Sequence, residues 1–193
     1  FHLGEVNGIQ LRGAQSVAIP AIADGTLAGA AVAFGQFAVI ASPMQMAAVY
    51  GTIANDGVYN APTLARRAVG ADGRVVFQAA AAHERVLRSE TAHAVMEMLG
   101  GGVDGEQGTG KAARVEGVRV AGKTGTAEDE ASGLKPGEVQ RYTSFVGAIP
   151  ADRPRFVILV GAVMVVDEKT SDAVGGKVAA PVFARIAARA LAH

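Results

Sequence analysis

The chain has 193 residues, 50% of them hydrophobic and 19% charged, with 25 Gly, 7 Pro, no Cys and no Trp. That length and apolar content suit one domain of ordinary size with a real core, and they exclude a disordered chain. The 18 basic and 18 acidic residues cancel, so no global field draws the chain to nucleic acid or to an acidic membrane surface. The absence of Cys excludes disulfide scaffolds, thiol catalysis and cysteine-ligated zinc, and leaves the compartment open. His2, His83, His93 and His193 are scattered, with no pair at metal-ligand spacing, so no metal site is expected. Nothing else in the sequence asks for a cofactor. The longest apolar run, Phe156 to Val166, falls short of the about 20 residues that a membrane-spanning helix needs. The first residue is Phe1 rather than Met, which suggests numbering that begins inside a longer gene product.

Residues 1 to 40 are rich in Gly and Ala with weak periodicity, and Phe1-His2-Leu3-Gly4 and Asn7-Gly8 read as loop and turn. Ser42-Pro43-Met44-Gln45 places an N-cap hydroxyl, a proline at the first helical position and a Gln at the third. Met46, Ala47, Tyr50, Ile53 and Ala54 then form an apolar helical stripe, which Asn55-Asp56-Gly57 ends. Asp72-Gly73 between Ala68-Val69 and Val75-Val76-Phe77 predicts a hairpin. A second helix is predicted from a Ser89 cap through Val95, Met96 and Leu99 to a stop at Gly100-Gly101-Gly102. Val118-Arg119-Val120 reads as a strand leading into Gly122-Lys123-Thr124-Gly125-Thr126-Ala127. After an acidic loop from Glu128 to Gln140, strands are predicted at Tyr142 to Ile149 and Phe156 to Val166. A last amphipathic helix is expected near Ala180 to Leu191, with Pro181 in its first turn. The five methionines sit in apolar contexts and are expected in the core. Short connections between the last strands favour antiparallel pairing, so the expected class is α+β, an antiparallel sheet flanked by helices.

Two readings compete around Lys123. Gly117-Val118-Arg119-Val120-Ala121-Gly122-Lys123-Thr124 satisfies the GxxxxGK[ST] pattern of a phosphate-binding loop. Such a loop must open a helix with its Lys and Thr. Here the middle residues favour a strand, and the acidic Glu128-Asp129-Glu130 that follows would sit near bound phosphate. The second reading is a Lys-Thr-Gly-Thr strand lining an acyl-transfer site. Lys123 would supply a fixed positive charge, and Thr124 and Thr126, sharing one side of a strand, would offer two hydroxyls to a carboxylate. Gly125 would let a peptide approach the strand edge, and the Thr126 amide could face a developing oxyanion. On those residues alone, an ordinary strand with one exposed Lys fits equally well.

The longer stretch Val120 to Glu128 resembles the third signature of penicillin-binding protein transpeptidases. Further blocks resemble that family in its own order. They are Gly35-Gln36 with Ala41 to Ala47, Ala54 to Val58, Gly108 to Ala113, Tyr142 to Gly147 with Pro150 to Asp152, and Gly175 to Phe183. Their wording is closest to the monofunctional, cell-division-type branch. The resemblance implies the C-terminal part of the transpeptidase fold shared with serine β-lactamases. It further implies acyl transfer from D-Ala-D-Ala stem peptides, with Lys123 and Thr126 catalytic and Thr124, Gly125 and Thr126 binding the stem peptide or a β-lactam. The parent would be anchored outside the cytoplasmic membrane, on the periplasmic side, among cell-wall synthesis partners.

One departure stands out. The family's Ser-x-x-Lys nucleophile motif and Ser-x-Asn motif precede the signature strand, and no Ser before Lys123 fits either pattern. Ser132-Gly133-Leu134-Lys135 follows that strand and runs into Pro136-Gly137, a poor helix. Residues 1–193 are therefore expected to be the C-terminal portion of one transpeptidase domain, inactive alone, with the nucleophile-bearing portion elsewhere. The strand Phe156 to Val166 would then expose an apolar edge prone to self-association. A non-catalytic module of the same fold, binding peptidoglycan or a β-lactam without turnover, is the alternative. Arg141 could help orient an anionic substrate, but a surface ion pair is the expected role.

Overall fold

A computed structural model describes residues 1–3, 30, 41–79, 83–129, 133–167 and 169–192. The chain divides into two compact units, Phe1–Val49 with Tyr59–Glu84, and Tyr50–Val58 with Arg85–His193. Asn7-Gly8 and the Gly35-Gln36 pair lie outside the described residues.

Helix α1 (Pro43–Ala54) starts as its sequence predicts. The Ser42 hydroxyl accepts from the Gln45 amide at 3.2 Å, and the Gln45 side chain accepts from the Ser42 amide at 2.9 Å. This reciprocal pair satisfies two amides that the first turn leaves without helical partners. Positive φ angles at Asp56 (57°) and Gly57 (79°) turn the chain out of the helix. Strand β1 (Val58–Asn60) follows. Strands β2 (Arg67–Val69) and β3 (Val75–Gln78) form the expected hairpin, with Ala68 opposite Phe77 and Gly73 at φ 79°. Strand β4 (His83–Arg85) pairs with β1.

Helix α2 (Ser89–Asp104) differs from its prediction at both ends. Ser89 is its first residue, not its cap, and the Ser89 hydroxyl donates instead to Asp56 Oδ2 at 2.8 Å. That bond, with Arg85 and His93 nearby, holds the Asp56 carboxyl below its ordinary range. The three glycines do not stop the helix. Two of them lie at close contacts: a Cβ at Gly102 would stand 2.9 Å from the Gly122 carbonyl oxygen and one at Gly100 2.7 Å from Arg119 Nη2, while Gly101 has open space. The Arg119 guanidinium there meets Glu97 at 2.8 Å, Asp152 at 3.4 Å and Asp104 at 3.6 Å. Met96 is buried on this helix, but Met98 is 74% exposed and Met44 on α1 is also exposed, so the methionines are not uniformly core. Both lie on helix faces that turn to solvent.

Beyond a 3-10 turn at Lys111–Ala113, the sheet comprises β5 (Ala121–Asp129), β6 (Val139–Ile149) and β7 (Phe156–Val166), antiparallel and in that order. Val118 makes only an isolated bridge with Val115, so the strand starts three residues later than predicted and contains the Lys-Thr-Gly-Thr motif rather than leading into it. The acidic Glu128 lies within β5, not in a loop. Helix α3 (Gly175–Leu191) begins five residues before its predicted start, which puts Pro181 inside the helix rather than in its first turn. The sequence signal at Ala180 is the onset of amphipathicity; the helix itself starts where two glycines meet the sheet.

The core lies between α3 and one face of the sheet. Phe145 and Phe183, both fully buried, meet edge to face at 4.8 Å between ring centres. Val103, Ala113, Val120, Ile149, Ala179, Ala180 and Ala187 complete the cluster. Three alanines on α3 keep the helix close to the sheet, so the two phenylalanines fill most of the space. Phe183→Ala should therefore cost about 3–5 kcal/mol of unfolding free energy, read as a lowered urea midpoint at unchanged slope. A loss under about 1 kcal/mol would show that this ring is not central.

Candidate active site

Within the described residues β5 pairs only with β6, so its other side is an open sheet edge. The register sets Lys123 opposite Val146, Thr124 opposite Phe145, Gly125 opposite Ser144 and Thr126 opposite Thr143. Side chains opposite one another share a face. Thr124 and Thr126 therefore lie on the face that carries Phe145 and the core under α3, and Lys123 and Gly125 lie on the other. Residues 123–126 are extended throughout. A phosphate-binding loop would place Lys123 and Thr124 at the head of a helix, and the strand excludes it.

The Lys123 side chain is exposed, and its ammonium donates to the Thr124 carbonyl oxygen at 3.0 Å. A Cβ at Gly125 would stand 2.5 Å from Ser144 Oγ, so any larger residue there would require the Ser144 hydroxyl to rotate away. On the opposite face the Thr124 and Thr109 hydroxyl oxygens are 2.8 Å apart. The Gly175 amide, at the start of α3, makes a long hydrogen bond of 3.5 Å to Thr126 Oγ1. The hydroxyl that accepts there keeps its own proton for another partner.

The start of α3 is pressed onto the motif. A Cβ at Gly175 would collide with the Ser144 carbonyl oxygen and stand 2.7 Å from that of Gly125, while one at Gly176 would collide with the Thr109 carbonyl oxygen. All of these are backbone atoms that cannot swing aside. At the far end of the strand, Arg141 is buried rather than on the surface: Nε donates to Glu128 Oε1 at 3.0 Å and Nη1 to the Ser171 carbonyl at 2.6 Å. It ties β5 and β6 to the segment that leads into α3. Thr109, Ser144 and Gly175 are site neighbours that strand alternation alone does not name. Their only local signal is small residues flanking or forming a turn, in Gly108-Thr109-Gly110 and Gly175-Gly176.

Downstream of β5, Gly133 has φ 87° and the Lys135 amide donates to the Glu138 carboxylate at 2.9 Å. Lys135 is thus in a turn, not one helical turn beyond a serine; Ser132 itself lies outside the described residues.

The fold is α+β with Lys-Thr-Gly-Thr on an open edge strand, and comparison with known proteins supplies its family. The chain matches the penicillin binding protein transpeptidase domain family over residues 1–188 and belongs to it. Penicillin-binding protein PbpB of Mycolicibacterium smegmatis is 39% identical over 151 residues, covering 75% of this chain and 23% of that protein. Stage V sporulation protein D of Bacillus subtilis is 34% identical over 189 residues, covering 96% and 28%. The crystal structure of penicillin binding protein 3 from Mycobacterium tuberculosis complexed with aztreonam superposes with a TM-score of 0.81 at 32% identity, covering 98% of this chain and 43% of that one. The chain thus spans roughly a quarter of the length of these curated relatives (23% and 28%).

Gly175→Ala tests whether the helix start holds the motif strand. The added methyl meets fixed backbone, and overpacking of this kind costs about 1–3 kcal/mol. Thermal unfolding should show the loss, whereas Gly117→Ala, with open space around its Cβ but φ 72°, reports backbone strain alone. Unchanged stability in Gly175→Ala would mean that α3 is free to shift away from β5.

Proposed function

We propose that this chain supplies the signature edge strand of a peptidoglycan D,D-transpeptidase of the cell-division type, acting outside the cytoplasmic membrane. The observation that carries the reading is the extended Lys123-Thr124-Gly125-Thr126 stretch on an open sheet edge, with its two threonines on one face. Its substrate is a stem peptide ending in D-Ala-D-Ala, and a β-lactam is the corresponding inhibitor. Solved relatives hold such compounds: penicillin binding protein 3 from M. tuberculosis has been captured with aztreonam and with ampicillin.

The roles follow from chemistry. The substrate ends in a carboxylate, and an exposed ammonium and two hydroxyls on one edge are suited to hold it. Thr126 accepts from the Gly175 amide, so its proton is available to the anion. Gly125 leaves the edge clear for a peptide backbone to run alongside. The Thr126 N–H is one of two donors to the oxyanion that forms when a serine oxygen attacks the penultimate D-Ala carbonyl carbon. That attack expels the terminal D-Ala as an amine and leaves an acyl ester, which a second stem peptide's amine then resolves. Lys123 lowers the cost of charge at this centre. The nucleophilic Ser-x-x-Lys and the Ser-x-Asn pair are taken to come from residues outside this sequence. Among the described residues no helix is long and apolar enough to cross a membrane.

Intact-mass measurement after incubation with benzylpenicillin tests this. No adduct is expected on residues 1–193, and one penicilloyl group is expected on the full-length gene product. An adduct at Ser132 would overturn the assignment of the nucleophile. A full-length protein that binds the drug only reversibly would make it a binding module instead.

The same reading leaves β7 as an outer strand. It has no charged residue over 11 positions, and Val163 and Val165 are 63% and 53% exposed. Unprotected edges of this kind pair with other chains, so residues 1–193 on their own should self-associate through β7. Light scattering would show a concentration-dependent mass, and Val163→Lys should suppress it; a constant monomer mass would refute the idea.

A further inference from the structure

We propose that Thr109 is a positioning residue that sets the proton direction of the Thr124 hydroxyl toward the substrate carboxylate, an inference that rests on the transpeptidase reading above. Thr109 is the only residue of Gly108-Thr109-Gly110 with a side chain, and the turn around it is fixed on three sides. The Gly110 amide donates to the Gly102 carbonyl and the Gly108 amide to the Gly105 carbonyl, both at 3.0 Å. A Cβ at Gly110 would stand 2.9 Å from Phe145 Cε2, and one at Gly108 2.6 Å from the Gly102 oxygen. The start of α3 closes the third side, since Gly176 has no room for a Cβ beside the Thr109 carbonyl. The turn is therefore wedged between the end of α2, the Phe145 ring and α3. Its one side chain is delivered to Thr124, with 2.8 Å between the hydroxyl oxygens.

A hydroxyl has one proton and two acceptor sites. The 2.8 Å contact can be made in two ways, and they have opposite consequences. If Thr124 donates to Thr109, it has no proton left for an anion. If Thr109 donates to Thr124, the Thr124 proton is released toward the open strand edge, and its bond to a carboxylate is strengthened by the donor behind it. A bound carboxylate selects the second arrangement, giving the ordered chain Thr109 to Thr124 to carboxylate. No covalent bond changes; only hydrogen-bond direction does. Thr126 is served in the same sense by the Gly175 amide, which can only donate. The two strand hydroxyls are thus each backed by a donor, one from a side chain and one from the helix start.

The test uses the full-length gene product and two ligands, benzylpenicillin with its free carboxylate and benzylpenicillin methyl ester. Thr109→Val keeps the shape and removes the hydroxyl; Thr109→Ala does so without risk of crowding. Each should lower the acylation rate constant for the free carboxylate about fivefold, the loss of the one neutral hydrogen bond that backs the Thr124 hydroxyl. Acylation by the ester should change less than about twofold, and Thr109→Ser should retain more of the rate than Thr109→Val. Equal losses for both ligands in Val and Ala variants would mark a purely structural role and overturn the proposal, as would unchanged acylation by the free carboxylate. A wild-type protein acylated by neither ligand would instead overturn the transpeptidase reading itself.

Discussion

The arrangement depends on one close contact, the seating of Gly175 and Gly176 against the backbone of the edge strand and of the Thr109 turn. Two peptide groups stacked this tightly leave no space for any side chain, so the contact is available only to glycine. It fixes where α3 starts, and from there the helix can lay Phe183 on Phe145 and its alanines on the sheet. Without it the core could still be apolar, but β5 would lose the support directly behind Thr124 and Thr126.

This explains why the motif strand can be both exposed and well positioned. An edge strand is ordinarily the least constrained part of a sheet. Here its outer side is left open while its inner neighbours hold it at four points along its length. The end of α2 reaches Gly122, the Thr109 turn reaches Thr124, α3 reaches Gly125 and Thr126, and Arg141 reaches Glu128. Preorganisation of this sort is what electrostatic catalysis asks of its donors, because groups already in place need not reorganise when charge develops.

Much of this was legible in the sequence where a local rule had no competitor. The Ser42 to Gln45 capping box, the Asp72-Gly73 hairpin and the strand Phe156–Val166 follow from spacing alone, and the structure has them at the expected residues, whereas β6 begins at Val139, three residues before its expected start and inside the predicted loop. The extended state of residues 123–126 was also readable, from the valines before them and the poor helix after them. What could not be read was the purpose of the glycines. By propensity, Gly100-Gly101-Gly102 is a helix stop and Gly175-Gly176 a loop, yet both are helical. Tertiary contact overrode propensity in each case, and the partners, Arg119, Gly122 and Ser144, are distant in sequence. Arg141 was misplaced for a similar reason. A charged residue on a strand looks solvated until the carbonyl of Ser171, 30 positions away, takes its second donor. The Thr109 contact falls in the same group.

The glycine-rich end of α2 carries a consequence for how the domain assembles. Each glycine inside a helix costs about 1 kcal/mol relative to alanine, so the last turn and a half of α2 would unwind if it stood alone in water. In the folded chain it lies against Gly122 and Arg119, contacts that offset that cost. The helix tail and the motif strand are therefore conditional on each other and should form in a single cooperative event. Amide hydrogens at residues 100 to 104 would then exchange no faster than those of the strand they lean on, despite lying in a stretch of helix with three consecutive glycines.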